Sequence, residues 1–90
     1  MYLLRVSGCN QRLLKHFENM DDAIIEMHKA KSYYESGGFS ALPQCRSYEP
    51  RMTLRKHIFD DIYAEISIDV YEDAFDTQDS KEFPWNKDAN

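Results

Sequence analysis

Cys9, His16, His28, Cys45 and His57 have the widest chemical range of any residues in this 90-residue chain. Zinc takes about four Cys or His ligands, usually supplied as closely spaced pairs. Here each of the five stands alone in sequence, so a zinc site would have to be assembled wholly by tertiary contact, and no metal is expected. Cys45 and His57 can also be drawn as a thiol nucleophile and its base. Nothing in the spacing brings them together, and no oxyanion-forming glycine turn accompanies either cysteine. The chain carries 16 carboxylates, but none stands in the apolar context that marks a raised pKa. No phosphate-binding loop is present. The reading is of a protein that is not an enzyme and holds no cofactor.

If the chain binds rather than catalyses, its surfaces matter, and these depend on the elements that carry them. Residues 51–71, RMTLRKHIFDDIYAEISIDVY, organise the rest. Ile62, Ala64, Ile66, Ile68 and Val70 alternate with Tyr63, Glu65, Ser67, Asp69 and Tyr71, the period of a half-buried strand. Met52, Leu54 and Ile58 share a parity in the preceding segment, with Lys56 breaking the row. Opposed residues in an antiparallel pair lie on one face, so a two-residue loop at Asp60-Asp61 would set Arg55 and His57 against the isoleucines. A three-residue loop, Phe59-Asp60-Asp61, pairs Ile58 with Ile62, Leu54 with Ile66 and Met52 with Ile68 on the inner face. Outside, it pairs Arg55 with Glu65, Arg51 with Asp69, Thr53 with Ser67 and His57 with Tyr63. A rival reading exists, because Leu54, Ile58, Ile62 and Ile66 recur every four residues and Glu49-Pro50 could open a helix. Clean alternation over residues 66–71 favours the hairpin.

Residues 2–7 read as a first strand, with Tyr2, Leu4 and Val6 on one face, turning at Gly8-Cys9-Asn10-Gln11 into a return strand over 12–17. The return strand has a muddled period and an inward-leaning Lys15, which suits a sheet edge. A helix then starts at the N-cap Asn19, with Asp21 and Asp22 in its first turn, and stops at Gly37-Gly38. Met20, Ala23, Ile24, Met27, Ala30 and Tyr34 form its core stripe, leaving Ile25 and Tyr33 facing outward on either side of Lys29. Residues 39–49 read as loop, anchored by Phe39, Leu42 and Tyr48. The expected architecture is α+β in two layers, a four-stranded antiparallel sheet of order ββαββ with one helix across it. A single domain would span 1–75, and 76–90 would be a flexible acidic tail carrying Phe83-Pro84-Trp85.

Charge narrows the partners. Residues 1–59 hold nine Lys or Arg against six Asp or Glu, while residues 60–90 hold two against ten, which together give the net charge of −5. An acidic patch discourages non-specific nucleic-acid binding and suits a basic protein surface. No long apolar run or signal pattern stands in the sequence, and two distant cysteines do not make a disulfide scaffold, so a cytoplasmic setting away from membranes is expected. A domain of this length buries a modest core, and a homodimer would be a natural source of further burial.

In general character alone, a short, acidic, aromatic-rich, motif-free α+β chain resembles the small inhibitors encoded by phages and mobile elements, such as anti-restriction and anti-CRISPR proteins. That likeness rests on size and composition and transfers no residues. The expected function is a protein-binding inhibitor or adaptor that occludes its partner through Tyr63, Glu65, Asp69, Tyr71, Glu72, Asp73, Asp76 and Trp85. Two alternatives stand beside it. One is a DNA mimic whose carboxylates occupy a nucleic-acid-binding protein. The other is a nucleic-acid-binding regulatory domain using Arg51 and Arg55, disfavoured because Glu65 and Asp69 lie among those arginines.

Overall fold

Two hairpins and one helix account for most of the described chain. The structure, a computed structural model, describes residues 1–43, 50–72, 79–80 and 83–86. Strands β1 (Tyr2–Gly8) and β2 (Gln11–Phe17) form the first hairpin, and helix α1 (Met20–Ser36) follows. The short strand β3 (Ser40–Ala41) precedes the second hairpin, β4 (Arg51–Phe59) and β5 (Ile62–Glu72), and Pro84–Asn86 forms a 3₁₀ turn. The strands pair antiparallel in the order β2-β1-β5-β4-β3. The fold is therefore α+β, one helix packed on a five-stranded antiparallel sheet.

The expectation of four strands is corrected to five, because Ser40 and Ala41 pair with Arg55 and Leu54 on the edge of β4. Two residues are too short for a period to show in sequence. Their pairing covers part of an edge that would otherwise present open backbone groups.

The first hairpin turns through Cys9 and Asn10, both at positive φ (51° and 63°), so the loop is two residues long and Gly8 pairs with Gln11. Such a turn matches the twist of the strands it joins. Gly8 itself sits at φ 134°, and a Cβ there would run into the backbone of Glu65 and Ile66. Glycine at this position is what lets β1 lie against β5.

In the second hairpin, every expected pair from Arg51 with Asp69 to His57 with Tyr63 is formed. Only the tip differs. Phe59, not Ile58, pairs with Ile62, so the loop is Asp60-Asp61 after all, and a register shift between His57 and Phe59 absorbs the parity conflict. Asp60 takes φ 51°, a conformation that aspartate tolerates better than most residues. The helical alternative for this segment gives way to strands.

Asn19 caps α1 by accepting a hydrogen bond from the Asp22 N–H at 3.0 Å. At the other end, Phe39 N–H donates to Tyr34 O and Gly38 N–H to Glu35 O, with Gly38 at φ 99°. Between the caps, Ala23, Met27, Ala30 and Tyr34 meet Leu4, Val6, Leu54, Ile66, Ile68 and Val70 in the core. Among the described residues no helix is long and apolar enough to cross a membrane.

Candidate functional site

The outer face of the sheet is a ladder of charges set by register. Because β5 lies between β1 and β4, Asp69 is opposed by Arg5 on one side and Arg51 on the other. Both arginines reach it, Arg5 Nη2 at 3.0 Å and Arg51 Nε at 2.7 Å, and the Asp69 residue is only 6% exposed. One rung along, Arg55 Nη2 donates to Glu65 Oε2 at 3.3 Å at an exposed position. The guanidinium groups also cover tyrosines, Arg5 at 5.4 Å from the Tyr71 ring centre and Arg55 at 5.2 Å from that of Tyr63. On this face three arginines are paired with two carboxylates, Asp69 being shared by Arg5 and Arg51.

The helix face carries a second polar cluster, centred on Glu26. This residue lies three positions after Ala23 and four before Ala30, so it falls on the core stripe and is 5% exposed. Its Oε2 accepts from Trp85 Nε1 at 2.8 Å, Asn86 Nδ2 at 2.6 Å and Lys15 Nζ at 3.4 Å. Burial opposes ionisation of Glu26. The hydrogen bonds from Trp85 and Asn86 and the charge of Lys15 outweigh that penalty, and its pKa lies below the ordinary value. Lys15 stands 5.3 Å from the ring centres of both Phe17 and Phe83. Trp85 packs against Phe83 and Tyr34 at centroid distances of 5.3 and 6.3 Å. Burial raises the pKa of Tyr34, helped by Tyr33 and Cys9 and opposed by the hydrogen bond from Gln11.

On the way to this cluster the chain touches the edge of β2. Leu14 exchanges hydrogen bonds with Ser80, and Asp79 accepts from the His16 backbone N–H at 2.9 Å while lying 2.7 Å from its Nδ1. Phe83-Pro84-Trp85, read from sequence as an anchor for a partner, here docks on its own domain. The remainder of the expected flexible tail, 76–78, 81–82 and 87–90, lies outside the described residues, as do Asp73 and Cys45.

The third feature is the end of the second hairpin. β1 pairs with β5 only over residues 66–72, so residues 62–65 are joined to β4 alone and the hairpin runs past the rest of the sheet as an arm. At its end Ile58, Phe59, Ile62 and Tyr63 are 53%, 60%, 52% and 48% exposed, around the two carboxylates of Asp60 and Asp61. The His57 ring packs on Tyr63 at 5.2 Å and its Nε2 lies 2.7 Å from Asp60 O, which stiffens the turn. Parity placed Ile58 and Ile62 on the inner face as core residues. The structure corrects this: Gly38 and Phe39 reach that face as far as Lys56, and beyond it Ile58 and Ile62 stay exposed.

A shallow groove of about 500 Å³ runs along the back of α1, lined by Ile25, His28, Lys29, Ser32 and Tyr33, with Trp85 at one side. Ile25 and Tyr33 face outward, as the helical spacing indicated.

Of the residues proposed from sequence, Tyr63 and Glu65 lie on the arm, Asp69 and Tyr71 lie within the charge ladder, and Glu72 ends β5 at an exposed position. Asp76, like Asp73, is outside the described residues. Trp85 is on the opposite layer, against α1. The structure does not gather them into one surface. Comparison of the chain with protein-family models, with curated proteins and with solved structures gives no match.

Proposed function

We propose that this is a protein-binding module, an inhibitor or adaptor, whose contact surface is the arm formed by the β4–β5 hairpin. The observation that supports this reading is the exposure of four large apolar side chains on six consecutive residues at the end of that arm. Scattered apolar residues are ordinary on a protein surface, whereas here four are gathered at the end of one projecting element, Phe59 with Ile62 on one face and Tyr63 beside His57 on the other. Its aromatic residues, Phe59 and Tyr63, are of the kind that dominate binding energy. Asp60 and Asp61 at the turn add negative charge beside the apolar residues and fit a partner whose apolar socket has a basic rim.

This reading moves the contact away from the acidic tail and from Asp69, which is held between two arginines. It also favours a protein over a nucleic acid as partner, since Arg51 and Arg55 are engaged with Asp69 and Glu65.

The test compares affinity capture by the natural chain with capture by a Phe59→Ser, Ile62→Ser variant, both with and without nuclease. A protein retained by the natural chain after nuclease and lost by the variant supports the reading. Equal retention by both chains, or recovery of nucleic acid that nuclease removes, overturns it.

A further inference from the structure

The molecule carries both halves of a contact. At one place the arm presents an exposed apolar tip bearing Asp60 and Asp61; at another the back of α1 presents a shallow groove with apolar lining, bearing His28 and Lys29. We propose that the tip of one copy seats in the helix groove of a second copy, so that the chain associates with itself through this contact.

Three observations carry the proposal. Both sides offer apolar surface, since Phe59 and Ile62 are exposed at the end of the arm while Ile25, Tyr33 and Trp85 line a shallow, open groove of about 500 Å³. Charge is complementary as well. The tip is doubly acidic, and the groove's own cation, Lys29, is 58% exposed at its side chain with Glu26 Oε1 at 3.9 Å, the limit of an ion pair. The contact must also be made between copies. The four residues of β5 that pass β1 carry the tip roughly 13 Å beyond it, at about 3.3 Å per strand residue. The groove lies on the side of α1 turned away from the sheet, so a rigid arm does not fold back into it.

The inference rests on the same reading of the arm as a contact surface, and it adds a consequence. Self-association covers the tip, so an outside partner and a second copy would compete for it.

Sedimentation equilibrium over a range of concentrations tests this with the full chain. The natural protein is expected to show a mass that rises with concentration. Phe59→Ser at the tip and Ile25→Ser in the groove should each weaken association tenfold or more. Asp61→Lys alone and Lys29→Glu alone should do the same, because each sets like charges together. Mixed in equal amounts, the Asp61→Lys and Lys29→Glu chains should associate again, since both tip-and-groove contacts between them pair opposite charges. That rescue also shows that neither variant is misfolded. A natural chain that stays monomeric at every concentration overturns the proposal. So does association lost with Phe59→Ser but unchanged with Ile25→Ser and Lys29→Glu, or a charge-reversed mixture that does not recover.

The two readings fail separately. Ile25→Ser leaves the tip intact and should still capture the outside partner. Loss of capture in the Phe59→Ser, Ile62→Ser variant is the mark of the arm's function, independent of whether copies associate.

Discussion

Leu54 and Ile62 lie on the same face of the same hairpin, yet one is fully buried and the other is half exposed. The difference is what lies above them. Over Leu54 the helix completes the core, whereas at Ile62 the sheet has narrowed to two strands and Ile62 joins no core cluster. A strand's period fixes which residues share a face, and coverage by another element fixes whether that face is a core or a contact surface. In this protein the covered part of the sheet and the arm share an apolar inner face and differ in exposure.

The strongest way to sharpen that comparison is to truncate both residues. Leu54→Ala should cost about 3 kcal/mol of stability, the usual scale for emptying a packed leucine site. Ile62→Ala should change stability by no more than about 0.5 kcal/mol, as at an exposed position. Urea unfolding measures both, and similar losses at the two sites would show that the arm is packed after all.

Glu26 tests the closed side of the molecule next. Glu26→Ala leaves the Lys15 ammonium, the Trp85 indole N–H and the Asn86 amide without their shared acceptor. A loss of about 2 kcal/mol is expected, the scale for unsatisfied partners of a charged group. Trp85→Phe keeps an aromatic ring but removes the N–H donor and part of the ring packed on Tyr34 and Phe83, and should cost at least about 1 kcal/mol.

Acid should act on the same cluster. The folded pKa of Glu26 lies below its ordinary 4.5, so its ionised form is the one the fold stabilises. Its contribution is therefore complete above that ordinary value and is lost as pH falls through the lowered folded value. Unfolding midpoints followed from about pH 7 to about pH 3 should fall less steeply for Glu26→Gln than for the natural chain. Parallel curves would remove Glu26 from the acid response.

A small effect is also expected on the outer face. Arg51→Ala should cost less than about 1 kcal/mol, because Arg51 is well exposed and Arg5 still neutralises Asp69.

Much of the fold was legible in the residues. Alternation in 62–70, matched against Met52, Leu54 and the charges opposite, gave the pairing of the second hairpin up to His57, and Asn19 and Gly37-Gly38 gave the ends of the helix. Glu26 could have been found too. It lies on the helix stripe, and Lys15 leans inward from β2, so an inward acid and an inward base were both readable before anything placed them together.

What the sequence determined by itself was local: face, period, cap and the sign of each charge. These follow from backbone geometry and nearest neighbours, which a short window contains. Which strands lie side by side, and therefore that Arg5 joins Arg51 on Asp69, was decided by β1 inserting beside β5. Likewise, the docking of Trp85 on Glu26 and the exposed inner face at the end of the arm were decided by packing between elements far apart in the chain. Burial is a property of what covers a residue, and that covering is assembled only when the chain has folded.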